Sequence, residues 1–395
     1  MSTKGFSLVF IALTLAILAV VGLFNRIVDP YWYFREVEIV GFNHVKPHAV
    51  GNERLVKPAL VNKLSPDVVI LGNSVAEIGL PPTHRGVTNG GTLSAYNLAL
   101  PGASWTEVYC LAMFVMRQTA VKRLIIGTAG EILGDVTEAC PTDASLGRPD
   151  YAKLLFSRTA ITASRETLQR QNSPEVMTRE GLWYFHRFDN YAKSDEEMIE
   201  VIRKHSCQIV PGREIKFDPA HLSKEPVSAR EGANLRELIR LARTRGIELV
   251  FLFYPTHVLM SETHRACQGA EAQWNAIWRV VSIAEQEGAG SQVQVWDFSS
   301  YVPMNAEPLF GAKPKRDRLW QEMLHFNEKV GSAAMDAIYL GDAGYGDRVT
   351  VSNFDALVVR REAERNQFLV ANPWLTQELD VIARRVATNS PALTD

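Results

Sequence analysis

The longest uninterrupted apolar stretch runs from Phe6 to Phe24 without a charge. As a helix rising ~1.5 Å per residue it would be ~28 Å long, about one bilayer core. The pattern predicts a membrane anchor over residues 1–28. Lys4 gives it a weak basic flank, and no small-x-small cleavage signal precedes Asn25, so an uncleaved signal anchor is expected, with the remainder exported across a cell inner membrane into a periplasm. The aromatic cluster Asp29-Pro30-Tyr31-Trp32-Tyr33-Phe34 follows at the depth where rings favour the membrane interface, and is expected to seat the chain there.

Beyond a linker over 29–64, shorter apolar runs bounded by loop signals predict parallel strands at Val68–Leu71, Ala95–Ala99, Arg123–Gly127, Glu248–Phe253 and Val293–Trp296. Helical periodicity lies between them. Leu235, Leu238, Ile239 and Ala242 share a face before Gly246, as do Trp274, Ile277, Trp278 and Val281 before Gly288. Alternation of strand and helix predicts an α/β fold, a three-layer doubly wound, mainly parallel sheet of about five strands over residues 65–335. About 120 residues separate the third strand from the fourth, so 131–225 reads as a helical insertion. In it, Tyr151–Leu168 is expected to be one helix, and Ser194-Asp195-Glu196-Glu197 opens another through His205. Trp183-Tyr184-Phe185-His186 suits a small core or a saccharide platform. Residues 336–395 read as a helical extension broken at Asn372-Pro373.

Composition adds mainly exclusions. A net charge of -2 without long basic runs gives no face for nucleic acid. Lys313–Arg318, the densest basic stretch, is a solvated loop or a contact for an anionic substrate. Cys110, Cys140, Cys207 and Cys267 show no CxxC; a Cys140–Cys207 bridge and free buried thiols are both open readings. No phosphate-cradling loop and no HExxH occurs, and His257, His264 and Cys267 are spaced too irregularly to predict a metal or a cofactor.

Candidate chemistry lies at strand ends, where open α/β sheets place it. Gly72-Asn73-Ser74 closes the first strand and supplies a hydroxyl nucleophile, while the late Glu322-x-x-His325 supplies a base and a carboxylate to orient it, three residues apart on one side of an expected helical turn. The N–H groups of Ser74 and of Gly102 are candidate oxyanion donors. Asn73, Asn97 and His257 are candidates for substrate contact, although Asn97 suits tying loops together better than binding a ligand, and His257 equally suits bonding to loop backbone. Ser104 is a weaker nucleophile candidate, because no G-x-S-x-G elbow surrounds it.

Gly72-Asn73-Ser74, Gly102 and Glu322-x-x-His325 together resemble the blocks of the SGNH (GDSL-like) hydrolase superfamily over residues 65–130 and 245–335. The layout of anchor plus exported domain is similar to that of membrane-anchored exopolysaccharide and alginate O-acetylation proteins. Asn73 stands where that superfamily usually has aspartate, Glu322 where it has the triad aspartate, and Gly127-Thr128-Ala129-Gly130 lacks the oxyanion asparagine of the third block. The resemblance implies a serine-dependent O-acetyltransferase or esterase acting on a cell-surface glycan, with a multi-span acyltransferase as partner if acetyl must cross the membrane. The competing reading is a glycan-binding or scaffold protein on the same fold.

Overall fold

The five apolar runs stand side by side as parallel strands, β1 (Val68–Leu71), β2 (Ala95–Asn97), β3 (Arg123–Thr128), β4 (Glu248–Phe253) and β5 (Val293–Asp297). A further strand, β6 (Asp347–Val349), pairs antiparallel with β5, giving a mixed six-stranded sheet in the order β2-β1-β3-β4-β5-β6. The computed structural model describes residues 3–388 except 131, 133, 135, 137, 189–193, 206–216, 218, 220, 221, 223, 225, 226, 229, 289–291, 311–317 and 343.

In chain order the helices are α1 (Thr3–Val28), α2 (Glu53–Leu64), α3 (Ser74–Gly79), α4 (Trp105–Gln118), α5 (Asp143–Gly147), α6 (Tyr151–Phe156), α7 (Arg158–Gln169), α8 (Asp195–His205), α9 (Ala233–Arg245), α10 (Val258–Gln268), α11 (Ala270–Gln286), α12 (Glu328–Leu340), α13 (Phe354–Ala371) and α14 (Pro373–Thr388). Two compact units result. The helical unit joins Met1–Ser65 to Pro141–Tyr184, and the sheet unit joins Pro66–Cys140 to Phe185–Asp395.

Both faces of the sheet are covered, which is why its strands read as continuous apolar runs. Val68, Ile70, Ile125, Val250 and Leu252 share one core with Val75 and Ala76 of α3 and Val330, Ala334 and Met335 of α12. The alternate residues Val69, Leu71, Leu124, Ile126 and Phe251 are just as fully buried. Successive strand residues point to opposite faces, so the second face is closed too. Arg123 and Glu248 stand opposite each other in the β3–β4 register, and their ion pair of 2.7 Å fixes the edge where both strands begin.

α1 is long and apolar enough to cross a membrane, and its most apolar window is only 6% buried. Several expectations need correction. The aromatic cluster does not face outward: Tyr31, Trp32, Tyr33 and Phe34 are all buried, Trp32 against Ala49 and Met177. Their backbone wraps the buried carboxylate of Asp29, which accepts the N–H groups of Tyr33 and Arg35 at 2.8 Å each. Residues 29–64 contain α2 and fold with 141–184, so they are no linker. Trp183 packs against the Trp32 cluster. The helix expected over Tyr151–Leu168 breaks at Ser157, whose extended backbone lets its hydroxyl cap α7 through the N–H of Ala160 at 3.0 Å. β6 went unforeseen because Asp347-Arg348-Val349 holds one apolar residue; Arg361 secures it by bridging to Asp347.

Cys140 pairs with Cys110 of α4, across a separation of 30 residues, and not with Cys207. Cys207, the side chain of Cys267 and most of the basic stretch lie outside the described residues. Arg318, which closes that stretch, is buried and donates to the carbonyl of Leu309 at 2.8 Å.

Candidate active site

The first strand delivers Ser74 to the C-terminal edge of the sheet, at the switch point where β1 is flanked by β2 on one side and β3 on the other. Gly72 turns the chain there with φ +149°, and a methyl group on it would fall 2.5 Å from Tyr254 Oη and 2.8 Å from Ala76 Cβ. Only glycine fits that approach. Gly127 of β3 is needed for the same reason, since a side chain there would run into the Tyr254 ring. Asn73 then caps α3, its Oδ1 accepting the Val75 N–H at 3.0 Å. Ser74 thereby becomes the first residue of a helix, with its hydroxyl outside the backbone ladder.

His325 meets it from 251 residues downstream. Ser74 Oγ lies 2.8 Å from His325 Nε2, and His325 Nδ1 bonds Glu322 Oε1. The segment is not the helical turn expected from the spacing. It is a non-helical turn closed by a bridge between Trp320 and Phe326, with Gln321 N–H donating to the His325 carbonyl at 2.9 Å and Asn327 N–H to that of Leu319 at 2.8 Å. The Glu322 carboxylate itself accepts the N–H groups of Leu324 (2.7 Å) and His325 (3.1 Å), local bonds that displace the helical pattern. Glu307 holds the turn from outside, its Oε2 accepting the N–H groups of Leu319 and Trp320.

Electrostatics follow from this arrangement. Burial pushes the Glu322 carboxyl up, but His325 beside it and the N–H groups of Leu324 and His325 more than offset that, leaving it below the usual carboxylate range. An ionised carboxylate only accepts, so the proton of neutral His325 sits on Nδ1 and Nε2 is left to accept from the Ser74 hydroxyl. That is the protonation pattern a serine nucleophile requires.

The other expected residues divide. Gly102, φ +63°, stands exposed in the loop after β2, the strand beside β1. After β3, the Thr128 hydroxyl accepts the Gly130 N–H at 2.9 Å. Asn97 is fully buried: its Nδ2 donates to the carbonyls of Ala76 (2.8 Å) and Leu80 (3.0 Å), and its Oδ1 accepts the Ala99 N–H. It ties α3 to β2 and has no surface for substrate. His257 is likewise fully buried, Nδ1 capping α10 through the Leu259 N–H and Nε2 bonding the Glu307 carbonyl at 2.8 Å. Burial lowers its pKa to about 4. Both ring nitrogens are used structurally, which removes it from the substrate candidates. Ser104 caps α4 through the Glu107 N–H.

Beside the triad lies a cavity of about 400 Å³, walled by Asn73 and Val75 on either side of Ser74, by Leu324 next to His325, and by Tyr254, Arg265 and Glu362 farther in. Asn73 thus keeps a place at the cavity wall. Sequence reading missed Tyr254, whose hydroxyl accepts the Asn73 N–H at 3.4 Å, and Glu307. Tyr254-Pro255 directly after an apolar strand was a visible signal; nothing around Glu307 distinguishes it. No family model matches the chain, and no curated protein matches it.

Proposed function

We propose that the protein is a membrane-anchored, exported serine esterase or O-acyltransferase of the SGNH-like kind, acting on acyl esters, acetyl foremost, of a cell-surface glycan. The observation that carries this reading is the Ser74–His325–Glu322 chain of hydrogen bonds at the C-terminal edge of the sheet. Ser74 attacks the ester carbonyl, His325 takes the proton and returns it to the leaving oxygen, and Glu322 holds the imidazole and offsets its charge. The backbone N–H groups of Ser74 and Gly102 receive the oxyanion. Water as second nucleophile gives hydrolysis; a sugar hydroxyl gives transfer. The anchor supports a site of action at the membrane, and the Cys110–Cys140 bridge supports an oxidising compartment beyond it. Transfer of acetyl from the cytoplasm would require a multi-span acyltransferase partner.

One observation favours a second reading, a glycan-binding protein without turnover. No side-chain amide follows β3, where Thr128 is spent on Gly130, and loss of one oxyanion donor costs roughly 3 kcal/mol in a well-studied protease. Turnover of p-nitrophenyl acetate and of an acetylated glycan by wild type beside Ser74→Ala separates the two. Serine-dependent release of acetate, or its transfer to a second glycan, supports the enzyme. Equal rates in both proteins, with glycan still bound, support the binder.

A further inference from the structure

The helical unit carries exposed apolar side chains where α1 leaves its apolar stretch, and three observations bear on them. The bend between α6 and α7 packs against α1 inside that stretch: a methyl group on Gly22 would fall 2.8 Å from Phe156 Cε1. Gly22 lies two residues inside the Phe24 end, ~3 Å along the helix axis. Asn25, fully buried one turn later, donates to the Leu155 carbonyl and accepts from the Ser164 hydroxyl, at 2.7 Å each, so α6 and α7 are fastened to the last turns of α1.

Asn43 fastens a second segment to the same end. Its Nδ2 donates to the carbonyls of Ile27 (2.8 Å) and Val37 (2.8 Å), and its Oδ1 accepts the Ile39 N–H at 2.8 Å. The turn 39–43 is closed further by the N–H groups of Phe42 and Asn43, which both donate to the Ile39 carbonyl. It is therefore a fixed turn with an apolar tip.

The side chains these bonds present are the third observation. Val40 is 83% exposed, Ile39 54%, Phe156 47% and Ile161 40%. Single exposed apolar residues need no explanation. These are gathered at one end of an apolar helix, while the aromatic residues Tyr31, Trp32, Tyr33 and Phe34 that directly follow that helix are buried. Withdrawing apolar surface from water is favourable, and the bilayer that receives α1 is the surface contiguous with them.

We infer that the turn 39–43 and the α6–α7 bend form a membrane-seating surface that enters the interfacial layer of a phospholipid bilayer around the emerging end of α1. It rests on the reading of α1 as a membrane span. Its consequence is that the helical unit does not swing freely on its anchor but sits at a fixed height and tilt on the bilayer.

The test uses the full chain in phosphatidylethanolamine and phosphatidylglycerol vesicles, with a nitroxide side chain placed separately at Val40, Phe156 and Leu15 through a non-natural residue. Spin relaxation by oxygen, which concentrates in lipid, is compared with relaxation by a water-soluble nickel chelate. The expected result is oxygen-dominated relaxation at Val40 and Phe156, within about threefold of that at Leu15 in mid-helix, as interfacial depth demands. Chelate-dominated relaxation at Val40 and Phe156 with Leu15 still in lipid overturns the inference alone. Low access to both agents, the mark of a second copy covering the surface, also overturns it. Chelate access at Leu15 overturns the membrane reading of α1 and the inference with it.

Discussion

Ser74, His325 and Glu322 are joined by side-chain bonds that leave each with one chemical task, and substitutions at them therefore have distinguishable effects. Ser74→Ala removes the hydroxyl proposed as nucleophile. Glu322→Gln retains the shape but offers a donor where His325 Nδ1 needs an acceptor, so the imidazole presents the wrong tautomer; kcat is expected to fall ~10⁴-fold, as in the comparable triad amide substitution, with unchanged circular dichroism. The sign of the pH effect is also set. Because Glu322 titrates lower in the folded than in the unfolded chain, its contribution to stability is present above the ordinary carboxylate range and lost as pH falls through the folded value. Stability measured against pH should show an acid loss that Glu322→Gln lacks. Ser74 was legible because it closes an apolar run that fixed its place in the fold, and Glu322 and His325 through their three-residue spacing, although not the turn that carries them. Of the two readings open for Asn97 and His257 the structural one holds, and the substrate one fails because burial is not written in a polar residue's letter: Asn97 ends a strand and His257 follows one, yet their polar atoms are consumed by Ala76, Leu80 and Ala99 and by Leu259 and Glu307.

Among elements, the contact between α3 and α12 sets how far Ser74 stands from His325. A side chain on Gly331 of α12 would run into the Gly79 carbonyl at the end of α3, and one on Gly79 would meet Phe326, the neighbour of His325. Gly331→Ala must therefore push α12 and the preceding turn away from Ser74. The expected outcome is a loss of ~1–3 kcal/mol in denaturant unfolding and a fall in kcat larger than any rise in KM. The α10 cap makes a separate statement. His257, neutral in the fold with its pKa lowered to about 4, gains a proton on unfolding between pH 6.5 and 4, so stability drops as pH falls through that window, by up to about 3 kcal/mol. His257→Asn keeps a capping oxygen and should flatten that part of the stability curve. The parallel strands could be read from the sequence because burial on both faces makes them continuous apolar runs. β6 and the Glu322 turn could not, because pairing with β5 and side-chain bonds to backbone hold them, and neither leaves a periodicity.

Across the whole molecule, the sequence pattern located the apolar N-terminal helix and the α/β unit but divided the chain wrongly. Residues 141–184 fold with the segment before Ser65, a long-range association carried by single bonds such as Lys57 Nζ to the Gly181 carbonyl at 3.0 Å. In the sheet unit the Cys110–Cys140 bridge closes a loop of 30 residues, and its reduction is expected to cost ~3–4 kcal/mol, read as a lower Tm in reductant that the Cys110→Ala, Cys140→Ala double variant reproduces without reductant. A serine esterase or transferase requires Ser74 to be an activated nucleophile, which a fluorophosphonate tests without knowledge of the substrate. Intact mass and peptide mapping of the full chain should show one adduct, on Ser74, absent from Ser74→Ala and strongly slowed in His325→Ala. Absence of labelling, or equal labelling of Ser74→Ala at another serine, would contradict it.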